Sequence, residues 1–249
     1  MRYLLFLCLF ILFLANTVQG QATEPEALLR QMEERLYGDT AMIRLAMVVG
    51  TRRGERRMEM DSYSSGRDRN FIKITYPAKD RGITFLKIEN GLWQYVPRIE
   101  KIIKIPAAMM LQSWMGSDFS NDDLIRESLL SRDYHSRLIT EDETTWTLEL
   151  TAHPEAPVVW GRLVLILARE YLLPLKVDYY DENNQLIRTL EYSGFSQMGG
   201  RIYPSRWLMT PREAGQEGRW TRIDVLAAAF DIEIPADLFS KQALQRLSR

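Results

Sequence analysis

The chain has 249 residues, 46% of them hydrophobic, and its 32 Lys+Arg against 33 Asp+Glu leave a formal net charge of −1. So even a balance excludes a nucleic-acid partner, whose phosphates call for a strongly basic surface. The one cysteine, Cys8, stands near the N-terminus, so the rest of the chain has no disulfide, zinc-thiolate site or thiol nucleophile available to it.

Taken in chain order, Arg2 precedes an unbroken apolar run from Tyr3 to Ala15, which gives way to the small and polar Asn16-Thr-Val-Gln-Gly20. The run is shorter than the roughly 20 residues that a membrane-spanning helix needs. It reads as a cleavable secretory signal over residues 1–20, leaving residues 21–249 as one exported domain. Cys8 lies inside the apolar run behind Leu5-Phe6-Leu7, a setting that does not suit lipidation. From Pro25 to Tyr37 the apolar residues Leu28, Leu29, Met32, Leu36 and Tyr37 recur at helical spacing, with Pro25 in the first turn and Gly38 as the stop.

Beyond Thr40 the period changes to two. Short runs rich in β-formers occupy 42–49, 57–63, 70–76, 83–89 and 92–97, separated by turn residues that include Asn90-Gly91, a strong hairpin signal. Two helical stretches interrupt this meander, Ala107 to Gln112 and Ser120 to Leu130, the second opened by a capping-box-like Ser120 and Asp123. The alternating pattern then resumes at 144–151, where Trp146, Leu148 and Leu150 share a face, and continues over 158–168, 174–180, 185–192, 201–209 and 218–229. About eleven strands of this kind, with one N-terminal helix and one helical insertion, predict a mainly β domain that wraps strongly or closes into a barrel. Charges on both faces of several strands argue against a barrel set in lipid.

No enzyme motif occurs. His135 and His153 stand in loops without the partners of a catalytic constellation, and a hydrolase site around His135, Asp133 and Asp118 is a remote alternative for want of a motif. The acidic clusters at 118–123 and 181–184 miss the spacing of a calcium loop and read as a helix cap and a turn. No cofactor or metal is expected. The stretch Met109-Met110-…-Trp114-Met115-Gly116-…-Phe119 is more telling. Methionine is flexible and polarisable and suits surfaces that adapt to varied apolar ligands, although the same residues could simply plug one end of a sheet.

Trp93-x-Tyr-x-Pro97, Lys101-x-x-x-Ile-Pro106, Ser113-Trp-Met-Gly-Ser-Asp-Phe-Ser-Asn-Asp-Asp-Leu124 and Ile234-Pro-x-x-Leu-Phe-Ser240 together resemble the bacterial outer-membrane lipoprotein-sorting proteins, the LolA-like group. The resemblance runs from about Tyr37 to Ser240. It implies a curved, incomplete antiparallel β-barrel whose open mouth is covered by helices, with an apolar cavity for acyl chains between them. It further implies a periplasmic, non-enzymatic carrier or chaperone of a lipid or lipoprotein, a monomer that serves an inner-membrane transporter and touches membranes only transiently. The arginine that acts in the archetypal carriers falls on Arg44, Arg52 or Arg53. On this resemblance Met109, Met110, Trp114, Met115 and Phe119 form the lid, while Met47, Val49, Phe71, Ile74, Phe85, Trp93 and Tyr95 line the pocket. An accessory subunit of an envelope complex, its concavity filled by its own side chains, is the alternative.

Overall fold

A computed structural model describes residues 24–126, 130–156 and 158–248; the expected signal segment, residues 1–20, lies outside them. Helix α1 (Pro25–Tyr37) has the predicted bounds, with Leu28, Leu29, Met32 and Leu36 buried along one stripe. Gly38 ends it at φ 63°, and its N–H donates to the Glu34 carbonyl at 3.0 Å. A side chain at Gly38 would meet the Asp231 carboxylate, so the stop requires glycine in both conformation and space.

Thirteen strands follow in a single antiparallel sheet. The first six are β1 (Thr40–Thr51), β2 (Gly54–Ser65), β3 (Arg69–Tyr76), β4 (Thr84–Ile88), β5 (Gly91–Val96) and β6 (Lys101–Lys104). An insertion carrying α2 (Asp123–Arg126) and α3 (Leu130–Asp133) then leads to β7 (Tyr134–Glu141), β8 (Thr145–Ala152), β9 (Arg162–Ala168) and β10 (Leu173–Tyr180). The last three are β11 (Leu186–Met198), β12 (Arg201–Pro211) and β13 (Trp220–Phe230), before the short C-terminal helix α4 (Lys241–Arg246). Each strand pairs with its neighbour in sequence except at two places. β13 returns to pair with β1, joining two meanders, and β6 and β7 are left as the two free edges. The sheet is therefore curved and unclosed, the incomplete barrel that the sequence pattern predicts.

The expected eleven strands become thirteen because both edge strands escape the pattern. β6 is four residues long and exposed throughout, and β7 mixes His135 and Arg137 with Leu138 and Ile139. Short edges guarded by cations discourage pairing with another chain, and the same device hides them from a search for apolar alternation. Ala107 to Gln112 forms only a single 3₁₀ turn, Ala107–Met109, not a helix. At Asn90-Gly91 the turn is shifted by one: Ile88 pairs with Gly91, so Glu89 (φ 52°) and Asn90 make the corner.

The main core fills the concave side of the sheet, where α1 packs against β7 and β10. A second, smaller core lies on the convex side, where Phe239, Ala243 and Leu244 cover Phe71, Leu86 and Tyr95, and Thr84 Oγ1 donates to the buried Leu244 carbonyl at 2.7 Å. Both faces of β3 and β4 are thus buried, which erases the polar alternation that would tell inside from outside.

Leu29 is fully buried beneath α1, whereas Leu111 in the insertion is 63% exposed. Leu29→Ala is expected to cost about 2–5 kcal/mol in urea unfolding, and Leu111→Ala no more than about 0.5 kcal/mol.

Candidate functional site

The insertion between β6 and β7 forms a roof over the concave face. Its residues 109–122 fold on themselves: the Trp114 N–H donates to the Phe119 carbonyl at 2.8 Å, Asn121 N–H to Gln112 at 3.1 Å and Asp122 N–H to Met110 at 2.9 Å. The tip of this loop is Met115-Gly116, both left-handed at φ 52° and 73°. Ser120 and Asp123 cap α2 reciprocally, Ser120 N–H to the carboxylate at 2.7 Å and Asp123 N–H to the Ser120 hydroxyl at 3.2 Å, as the spacing predicts.

The roof points Trp114 and Phe119 inward, both almost fully buried, and the Trp114 ring meets Phe85 edge-on at 5.4 Å. Ionic and polar contacts also join roof and sheet. Arg188 of β11 grips Asp123 with both terminal nitrogens, at 2.8 and 2.5 Å, while its guanidinium lies 4.5 Å from the Trp160 ring and 4.3 Å from that of Tyr179. Asp118 accepts from Arg219 at 3.0 Å and from the Thr221 hydroxyl at 2.7 Å. Arg56 of β2 donates to the Met115 carbonyl at the tip, and its Nη2 lies 3.1 Å from where a side chain at Gly116 would begin.

Two cavities lie under this roof. One, of about 50 Å³, is walled by Met32, Leu36, Leu165, Tyr192 and Met209 among others. The second, of about 150 Å³, runs past Leu45, Met60, Ile72 and Trp207. Tyr37, Phe119 and Asp123 belong to both walls, so α1 and the roof divide one trough into two lobes. A space of about 150 Å³ holds a group about the size of benzene. A long acyl chain fits only if the roof moves.

Of the expected lining residues, Met47, Val49, Ile74, Phe85, Trp114 and Phe119 come together in the concave core, with Met110 and Met115 half-buried against it. Phe71 and Tyr95 are on the opposite, convex face under α4, and Trp93 packs beside them between the Lys104 and Lys241 ammoniums. Their assignment to the pocket is corrected by strand parity: Ile72 and Ile74, not Phe71, face inward. Met109 is exposed on the outer side of the roof. Arg44 pairs with Asp61 and Arg52 with Glu217 at the surface, and Arg53 lies exposed in the turn after β1; the arginines that hold the roof are Arg56, Arg188 and Arg219. Arg188 has a sequence signal only in retrospect, as a cation within the apolar run of β11. His135 and His153 stack edge-to-face at 3.9 Å near the β7 edge, while Asp118 is engaged by Arg219. Among the described residues no cluster could hold a metal ion, and no helix is long and apolar enough to cross a membrane.

Two buried carboxyls of the site are shifted in opposite directions. Burial works to raise the Asp123 carboxyl, but the Arg188 guanidinium overrides it and holds the group below its ordinary value of 3.8. Burial of Glu33, on α1, prevails over the hydrogen bonds from Ser131 and pushes that carboxyl above 4.5.

A family model described as an uncharacterized protein matches residues 66–246. Among curated proteins none matches. Three solved structures are alike in fold. A DUF1329 family protein from Desulfovibrio piger ATCC 29098 has a TM-score of 0.80 at 22% identity, covering 90% of this chain and 100% of its own. A putative outer membrane lipoprotein-sorting protein domain from Vibrio parahaemolyticus gives 0.77 at 19%, covering 89% and 98%. A LolA superfamily protein from Nitrosomonas europaea gives 0.75 at 22%, covering 89% and 100%.

Arg188→Met strands the Asp123 carboxylate and is expected to cost about 3–5 kcal/mol in urea unfolding, most of it regained in Arg188→Met/Asp123→Leu. Because the Asp123 value is lowered by folding, its contribution is present above pH 3.8 and is lost as pH falls through the folded value. Asp123→Asn should therefore unfold with a shallower loss of stability than wild type when titrated below about pH 4.

Proposed function

We propose that this chain, a member of the family whose model matches residues 66–246 and alike in fold to the solved LolA-like structures, is a non-enzymatic carrier that shelters acyl chains of a lipid or lipoprotein in the trough beneath the roof. The observation that carries this reading is the construction of the roof. Trp114 and Phe119 reach into an apolar trough, while the segment bearing them is fastened by discrete polar clamps from Arg56, Arg188 and Arg219. Such clamps make and break as units, so the roof has a defined closed state from which it can lift. Each CH₂ taken from water is worth about 0.8 kcal/mol, so an apolar trough needs no specific polar contact to hold a chain. Met110 and Met115, half-buried beside the tip, supply adaptable surface for it.

The related proposals follow from the same reading. Residues 1–20 are a cleaved export signal and residues 21–249 one domain, monomeric and periplasmic, collecting its cargo from or delivering it to an inner-membrane transporter. The concave residues Met47, Val49, Ile74 and Phe85 and the lid residues Met110, Trp114, Met115 and Phe119 form the binding surface. A second reading, an accessory subunit with a self-filled concavity, is favoured by one observation: the closed lobes measure only about 50 and 150 Å³.

The two readings part in one experiment. Protein purified from the envelope fraction is extracted for lipid mass spectrometry, and saturated fatty acids of increasing length are titrated against it. The carrier reading expects co-purified lipid and an affinity that rises about fourfold per added CH₂ until the trough is full. It expects Trp114→Ala to weaken binding by about tenfold, in proportion to the apolar wall removed. Absence of bound lipid together with affinity independent of chain length favours the accessory subunit.

A further inference from the structure

Exposed apolar side chains are spread unevenly over the surface. Of the nine large ones among the described residues, five fall between Ile99 and Leu111: these two with Ile102, Ile103 and Met109. The other four, Tyr76, Ile139, Leu226 and Ile232, are scattered along the chain. Cations alternate with the cluster. Arg98, Lys101 and Lys104 are exposed in the same stretch, and Glu100 is its single acid. The whole chain carries a formal charge of only −1, so this excess of positive charge is local.

The register of β6 on β5 shows how these side chains are disposed. Ile102 and Lys104 stand opposite Tyr95 and Trp93, on the convex side, while Lys101 and Ile103 stand opposite Val96 and Gln94, on the concave side. The sheet edge therefore presents one isoleucine and one lysine on each face. After Ile105, which is buried in the main core, the chain runs on into the roof. There the Met109 carbonyl accepts from the Asn121 side-chain amide at 2.9 Å and the Met110 carbonyl from the Asp122 N–H at 2.9 Å. Rim and roof are one continuous piece of chain.

A concentration of exposed aliphatic surface marks a place that something covers. Strand addition suits this edge poorly, since β6 is four residues long and has lysine at both ends. Pairing through the backbone would also leave the isoleucines on the two faces uncovered. The interfacial layer of a bilayer covers both faces at once and is wet enough to hydrate the backbone of the edge. Anionic phospholipid headgroups complement the cations.

We infer that residues 98–111 form a membrane-docking rim for bilayers rich in anionic phospholipid. The isoleucines enter the boundary between headgroups and acyl chains, and Arg98, Lys101 and Lys104 lie among the phosphates. The inference deepens the carrier reading, on which it rests for its purpose, by placing cargo exchange where the roof meets the membrane. Docking itself needs no cargo.

Sedimentation with vesicles of phosphatidylcholine, alone or with about a third phosphatidylglycerol, tests the rim. The protein should bind the mixed vesicles at least about tenfold more tightly than the neutral ones and lose most of that preference at high salt. Each cation is worth about fivefold, so Lys101→Gln/Lys104→Gln should weaken binding roughly twentyfold. Arg30→Gln/Lys79→Gln, which removes two exposed charges elsewhere, should change it little. Ile102→Ser/Ile103→Ser should weaken binding by about tenfold or more, and Leu226→Ser, on β13, should not. All these positions are half-exposed or more, so the variants should fold and keep wild-type affinity for fatty acids. Equal binding to both vesicle types, or binding unchanged in the rim variants, overturns the rim. Binding confined to native membranes and abolished by their proteolysis points to a protein partner and overturns it too. No vesicle binding with fatty-acid binding intact overturns the rim alone; vesicle binding without fatty-acid binding supports the rim and overturns the carrier reading.

Discussion

The two free edges of the sheet, β6 and β7, are neighbours in sequence, and this constraint shapes the rest of the molecule. The chain that leaves one edge has to reach the other. In an unclosed, curved sheet that path crosses the open side of the barrel, so the insertion roofs the concave face as a consequence of connectivity. Pairing of β1 with β13 fixes the opposite, continuous wall, and α1 lies inside the curve. A roof, an apolar floor and a plug therefore follow from one arrangement of strands.

A roof fastened by packing alone would grade smoothly between closed and open. Here Trp114 and Phe119 provide the apolar contact, while Arg56, Arg188 and Arg219 take fixed partners in the segment 115–123. The Arg188–Asp123 pair is nearly dehydrated and lies against Trp160 and Tyr179, so an unpaired partner would be costly and the closed geometry is sharply specified. Asp123 also stands in the wall of both lobes. Releasing that pair and lifting Phe119 would join the two small lobes into one trough, which links the electrostatics of the roof to the volume available beneath it.

Much of this was legible in the sequence, and what was not has identifiable causes. α1 shows its stripe and its glycine stop, and the central strands show their period. The edges β6 and β7 do not: β6 is exposed throughout, and β7 mixes cations with its apolar residues and buries only Tyr134. The inward parity of β3 to β5 was unreadable since α4 buries their outer face, making Phe71 and Ile72 equally apolar neighbours. The roof residues Trp114 and Phe119 stood out by composition. Their clamps did not: Arg56, Arg188 and Arg219 are scattered cations in β2, in β11 and just before β13, and only the folded chain brings them to Met115, Asp123 and Asp118. Long-range pairing of single charges leaves no periodic trace.

The most direct measurement of the central claim locates a chain in the trough. Laurate brominated at its terminal carbon quenches tryptophans that it touches; of the six in the chain Trp114 and Trp207 line the larger lobe and Trp160 the smaller, so the test is made in a Trp160→Phe background. A saturable quench, lost when both are replaced in Trp114→Phe/Trp207→Phe while binding persists, is the predicted result. A quench unchanged in that double variant, or none at ligand concentrations that saturate binding, would place the chain elsewhere and contradict the account.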